Sequence, residues 1–170
     1  MKIAGLIQDS IVDGPGLRFV VFTQGCDIGC AGCHNPGAID IDGGMEMTIE
    51  EIASVMDSNP LTDGLTLSGG EPFMQAANCS QLAAAAHARG KDVWTYTGSC
   101  FEELLIKAKT DSAIMALLEQ TDVLVDGRFV LEERTLSEKW RGSKNQRFVD
   151  VHKSLAACRT VEFPVEKLHS

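Results

Sequence analysis

Three cysteines fall within eight residues, Cys26, Cys30 and Cys33, in the run GCDIGCAGCHN from Gly25 to Asn35. Thiolates suit zinc or an iron–sulfur cluster, and spacing helps to separate the two. Zinc sites built from four cysteines usually come as two separated CxxC pairs, which this chain lacks. A CxxxCxxC run on one loop can wrap a cubane so that each thiolate takes a different iron. Gly25, Gly29 and Gly32 would let the backbone pass close to inorganic sulfide. Three irons are then held and one is left open, and an iron without a protein thiolate binds a substrate directly, as open catalytic metal sites do. Spacing alone leaves two alternatives standing: a zinc knuckle completed by His34, and a cluster completed by a distant cysteine such as Cys79. His34, immediately after Cys33, is cramped as a ligand to the same zinc.

A second stretch, LSGGEP, ends a short apolar run with Gly69 and Gly70. On its own it reads as a strand-ending glycine turn. TYTG and DGRF are further polar endings of apolar runs, and WRGSKNQR, Trp140 to Arg147, is polar and basic within an acidic chain. Cys79, Cys100 and Cys158 are scattered and read as plain structural or surface thiols.

These motifs need elements to hold them. LRFVVFTQ, Leu17 to Gln24, is β-branched and aromatic, follows the turn sequence DGPG, and predicts a buried strand that delivers the chain into the cysteine loop. Thr48 with Glu51 three residues on is a capping-box pattern opening a helix that ends before Pro60. Strands are predicted at Leu65 to Leu67, Val93 to Tyr96 and Val123 to Val125. A helix closing at Gly90 lies between the first two, and a helix broken near Thr110 between the last two. The alternation predicts an α/β fold with parallel strands, in which ligands collect at the carboxyl ends of the strands. The cysteine loop, SGGEP, TYTG and DGRF all follow predicted strands, so one face should gather them. After Asp126 the pattern is irregular, with a helical turn and a strand at Arg147 to Val151 expected. The sequence determines the tail poorly.

At 170 residues, with 44% apolar and 23% charged residues, one domain over 1–170 is expected, with a core at about 11–151 and an unassigned extension at about 152–170. Fifteen basic against twenty-four acidic residues give a net charge of −9, which repels nucleic-acid backbones and anionic lipid. No run approaches the roughly 20 apolar residues that cross a bilayer. The N-terminus lacks the basic and apolar regions of a secretory signal. A cytoplasmic protein with no nucleic-acid or membrane partner is expected.

CDIGCAGCHN resembles the cluster loop of the radical S-adenosylmethionine (SAM) enzymes, and LSGGEP behind a strand resembles the segment of that family that holds the methionine amino group. VDGPGLRFVVFTQGC, VWTYTG, DVLVDGRF and WRGSKNQR are similar in order and spacing to the activating proteins of anaerobic ribonucleoside-triphosphate reductases, from about Ile11 to Arg147. The resemblance implies a truncated partial (β/α) barrel and a [4Fe–4S] cluster on Cys26, Cys30 and Cys33, with SAM chelating the fourth iron. It further implies cleavage of SAM to a 5′-deoxyadenosyl radical, and transfer of a hydrogen atom from a glycine Cα on the glycyl-radical subunit of the reductase. A flavodoxin or ferredoxin is the implied electron donor. Around the cofactor the expected residues are Gly32, Cys33, His34, Ser68, Gly69, Gly70, Glu71, Thr95, Thr97, Asp126 and Arg128. WRGSKNQR is expected to contact the partner or close over the nucleoside. Two features depart from the wider family: Gly32 stands where many members have an aromatic residue, and His34 follows the third cysteine. The nearest alternatives are an activase of the pyruvate formate-lyase type and a 7-carboxy-7-deazaguanine synthase.

Overall fold

The structure, a computed structural model, describes residues 1–165. Of the extension expected at 152–170, residues 166–170 lie outside the described residues. Among the described residues, seven strands form one mixed sheet in the order β3-β1-β2-β4-β5-β6-β7. Its centre is parallel, built from β2 (Arg18–Thr23), β4 (Gly64–Gly69), β5 (Asp92–Tyr96) and β6 (Val123–Asp126). Its flanks are antiparallel, with β1 (Lys2–Ser10) and β3 (Met45–Glu46) on one side and β7 (Arg147–Asp150) on the other.

The expected parallel sheet is therefore met at the four central strands and corrected at the flanks. A parallel neighbour needs a crossover of a dozen or more residues, usually helical. The turn through DGPG is too short for one, so β1 folds back on β2. Between β6 and β7 the chain forms loops and a single 3-10 turn at Leu131–Glu133, and again returns antiparallel.

Among the described residues, five α-helices complete the fold. In α1 (Ile49–Asp57) the capping box forms as expected: the Glu51 N–H donates to Thr48 Oγ1 at 3.1 Å, and the Thr48 N–H donates to Glu51 Oε2 at 2.7 Å. A 3-10 turn at Pro72–Gln75 leads into α2 (Ala76–His87). The break near Thr110 separates α3 (Phe101–Lys107) from α4 (Ser112–Glu119), whose start is capped by Asp111. The last helix, α5 (Val151–Ala157), was not legible in the sequence; Asp150 caps it by accepting from the Lys153 N–H.

Alternation along the strands splits the sheet into two faces. Phe19, Val21, Leu65, Leu67, Val93, Leu124 and Val149 point to the helices, and with Ile52, Met56, Leu82, Leu104 and Leu117 they form the main core. Burying each such side chain stabilises by about 1.5–3 kcal/mol. The opposite face carries Trp94, Val123, Val125 and Phe148 under Tyr96, Trp140, Phe163 and Val165, and is covered by loops instead of helices. Among the described residues, no helix is long and apolar enough to cross a membrane.

Candidate functional site

The cysteine loop leaves β2 at its carboxyl end and is tied down by backbone. The Gly25 N–H donates to Ala38 O at 2.8 Å, the Cys26 N–H to Ile39 O at 3.1 Å, and Gln24 Nε2 to Gly37 O and Asp40 O at 3.1 and 2.6 Å. Gly25, Gly29 and Gly32 sit at φ of +97°, +71° and +69°, a left-handed backbone that other residues rarely adopt, so the loop's path depends on them. Cys26, Cys30 and Cys33 are free thiols of intermediate exposure. The Asn35 N–H donates to Cys33 Sγ at 3.4 Å, the kind of contact that tunes a metal-bound sulfur. Burial pushes the Cys26 thiol up, against a lowering hydrogen bond from the Ile28 backbone.

These three thiols fit a cluster better than a single ion. One zinc with sulfurs at about 2.3 Å draws its thiolates to within 4 Å or so of each other. Among the described residues, the only set of three potential ligand atoms within 4.8 Å of one another is Cys100, Glu102 and Asp126. The loop sulfurs are not all within that distance of one another, which leaves room for a body larger than one ion. The Cys100 set is already neutralised: Arg147 binds Asp126 Oδ1 and Oδ2 at 2.9 and 2.5 Å, and Glu102 Oε1 and Oε2 at 3.2 and 2.8 Å. No fourth cysteine reaches the loop from the core. Cys79 is fully buried in α2, with its thiol pushed up to about 12 by burial; Cys100 precedes α3, and Cys158 is exposed beyond α5.

Beside the loop lies a cavity of about 1,000 Å³. Cys33, His34 and Asn35 form one wall, Phe22, Ser68, Gly69 and Tyr96 the floor, and the turn Ile11–Gly16 with the segment Thr135–Gly142 the roof. Each side of the roof has a root. Arg18, fully buried, donates to Thr66 Oγ1 at 3.1 Å and Leu65 O at 2.6 Å and pairs with Asp92 at 2.5 Å; Thr66 Oγ1 in turn donates to Asp13 O at 2.8 Å. Tyr96 Oη donates to Trp140 O at 2.7 Å, and the Trp140 ring meets Trp94 edge-on at 5.7 Å. Gln146 Nε2 donates to Gly127 O at 3.1 Å, and its Oε1 accepts from the Gly142 N–H at 2.8 Å. WRGSKNQR is thus strapped across the cavity.

The expected cofactor residues separate into groups. Cys33, His34, Ser68 and Gly69 line the cavity. His34 rests on Phe129, ring centroids 4.3 Å apart, and a Cβ at Gly142 would lie 2.9 Å from its Cε1. Gly32 packs on Leu131. Gly70 lies directly under the loop: its N–H donates to Thr23 O at 2.8 Å, and a Cβ would fall on the Gly25 carbonyl oxygen. Glu71 and Thr97 are buried and bond to each other at 3.0 Å.

Three expectations are corrected. Thr95 points to the helix face, where its hydroxyl meets that of Thr121 at 2.9 Å. Asp126 is on the same face, accepting from the Phe101 N–H at 2.7 Å and pairing with Arg147. The two-residue period of a strand puts Tyr96, not Thr95, over the cavity. Arg128 lines a separate cavity of about 360 Å³ with Asp27, Ile28 and Gly98, on the other side of the cysteine loop. Sequence reasoning missed the Ile11–Gly16 roof and did not separate Tyr96, which lines the cavity, from its neighbours Thr95 and Thr97; alternation along VWTYTG was the available signal for that distinction.

A family model described as a 4Fe-4S single cluster domain matches residues 12–149. The chain is 37% identical over 145 residues to an anaerobic ribonucleoside-triphosphate reductase-activating protein of Vibrio cholerae, covering 80% of this chain and 89% of that protein. Proteins with the same name in Escherichia coli K12 and Enterobacteria phage T4 are 35% and 36% identical, again over 80% of this chain and over 90% and 85% of their own lengths.

Proposed function

Because the chain belongs to the family of anaerobic ribonucleoside-triphosphate reductase-activating proteins, we propose that it is the radical SAM activase that installs the glycyl radical on such a reductase. The observation that carries this reading is the placement of the CxxxCxxC loop and the Ser68–Gly69 strand end on one cavity. Under this reading Cys26, Cys30 and Cys33 hold a [4Fe–4S] cluster, and the parallel strands β2, β4, β5 and β6 form a truncated partial barrel. When bound, cluster and SAM together supply one-electron cleavage of the sulfonium to methionine and a 5′-deoxyadenosyl radical, which takes the glycine Cα hydrogen.

The chain's own residues bind, orient and shield. Gly69, at φ +98°, lines the cavity and lies so close to β2 that a Cβ would sit 2.5 Å from the Thr23 nitrogen, so glycine is required where the reading places the amino group. Ser68 adds a hydroxyl beside it. His34, Asn35 and Tyr96 bound the space for the nucleoside, and the roof segments narrow its opening. The volume lies at the upper end of small-molecule pockets, about 300–1,000 Å³. That size supports a site shared by a cofactor and an entering loop of the partner. Arg128 lines the smaller cavity beside Asp27 and Ile28 and has no part in this one. The reading keeps residues 1–170 as one domain and includes a flavodoxin- or ferredoxin-type electron donor.

Anaerobic reconstitution tests it. The expected outcome is roughly four irons and four sulfides per chain, and 5′-deoxyadenosine formed with SAM and reductant. Cys26→Ala, Cys30→Ala and Cys33→Ala should each abolish that product, whereas Cys79→Ala, Cys100→Ala and Cys158→Ala should retain it. Zinc bound without sulfide would refute the reading.

A further inference from the structure

The buried carboxylate of Glu71 has no free face. Its Oε1 accepts from the Phe73 N–H at 3.0 Å and its Oε2 from the Gly98 N–H at 2.9 Å, and the Thr97 hydroxyl lies 3.0 Å from both. The Thr97 oxygen itself accepts from the Ser99 N–H at 3.1 Å, which turns its proton toward Glu71. Every partner is a donor, as acceptor-only oxygens require, and Glu71 is 3% exposed and absent from the cavity wall. Its backbone engages the cysteine loop, the Glu71 N–H donating to Gly25 O at 2.8 Å. The turn it grips engages the same loop from the other side, where a Cβ on Gly98 would lie 2.7 Å from Ile28 Cγ2.

We infer that Glu71 is a positioning residue whose carboxylate touches no ligand: it clamps the Thr97–Ser99 turn to the end of β4, and through Gly25 and Gly98 it sets the path of the Gly25–Ile28 segment that carries Cys26. Thr97 is the second half of the clamp. The inference rests on the proposed role of Cys26 as a cluster ligand. It assigns the amino-group contacts of the glycine segment to backbone and Ser68 and none to the Glu71 side chain.

The test compares Glu71→Gln with Thr97→Val in the full-length chain. In the cluster-free protein, amide exchange at Gly98 should accelerate about tenfold in Glu71→Gln and about threefold in Thr97→Val, as expected for losing a charge-assisted and a secondary hydrogen bond. In the reconstituted protein, both variants should shift the cluster's midpoint potential in the same direction, with the SAM dissociation constant changed less than about threefold. Unchanged exchange at Gly98 in both would overturn the clamp. So would a SAM affinity lost about tenfold or more in Glu71→Gln alone with the potential unmoved, the pattern of a direct ligand contact. If Glu71→Gln does not fold, Gly98→Ala leaves the carboxylate in place and presses on Ile28; it should also shift the potential, and an unmoved potential would overturn the proposal. A wild-type chain that takes up no cluster refutes the functional reading, while exchange at Gly98 still decides the clamp.

Discussion

At the scale of single residues, the site depends on which groups are already occupied. Arg147 illustrates this. It looks from the sequence like part of a loose basic segment, yet it bridges Asp126 and Glu102 and so joins the end of β6 to the start of α3. The Arg147 guanidinium holds the Glu102 carboxyl down at about 2. A carboxylate whose folded pKa lies below its unfolded value adds stability above the ordinary carboxylate range and loses it as pH falls toward the folded value. Acid unfolding should therefore show wild type losing more stability than Glu102→Gln between about pH 4.5 and pH 2. With Glu102 half exposed, solvent screening keeps the difference to about 1 kcal/mol or less. Equal losses in the two proteins would show that the pair adds nothing.

At the scale of elements, closeness of approach matters more than residue type. Gly70 sits where the β4 turn passes under the cysteine loop, with the Gly25 carbonyl on one side and Ala38 O 2.8 Å from where a Cβ would be. Both neighbours are backbone, so Gly70→Ala must move the loop itself. It should cost about 2 kcal/mol or more in chemical denaturation and should lower iron uptake. Gly90→Ala, in open space after α2 at φ +71°, should cost only about 1 kcal/mol and leave iron uptake intact. The roof offers a gentler perturbation. Tyr96→Phe removes the bond to Trp140 O and should cost about 1 kcal/mol. The expected result is a raised KM for SAM with faster exchange in residues 135–142, and unchanged exchange there would break the link between Tyr96 and the roof.

The same scale shows what could be read in the sequence. The position of the motifs at the ends of β2, β4, β5 and β6 was legible because each directly follows an apolar run, and the capping box at Thr48 and Glu51 formed as its spacing predicts. Which of two adjacent residues faces the cavity required strand register. Thr95 and Asp126 pointed the wrong way for that reason alone. The antiparallel flanks were hidden for a different reason. KIAGLIQDS carries exposed and half-buried positions without strict alternation, and β7 is set by pairing with β6 across a loop that has no periodic signal. The roof is also a long-range product: Arg18, Thr66 and Tyr96 hold it from strands far away in sequence.

At the scale of the whole molecule, helices cover one face of the sheet and loops cover the other. The helix face supplies the rigid core. The loop face, closed by segments that hydrogen bonds from Thr66, Tyr96 and Gln146 hold in place, supplies a cavity whose rim exposes Ile11, Val12 and Leu136. This arrangement suits a protein that must hold a small cofactor and still admit part of a macromolecule. The most direct measurement of that claim is electron paramagnetic resonance of the reductase's glycyl-radical subunit after anaerobic incubation with the reconstituted chain, SAM and reductant. A glycyl-radical doublet on the reductase, dependent on SAM and lost with Cys33→Ala, is the predicted result. Absence of that doublet, in a sample that forms 5′-deoxyadenosine and activates a different glycyl-radical enzyme, would contradict the assignment.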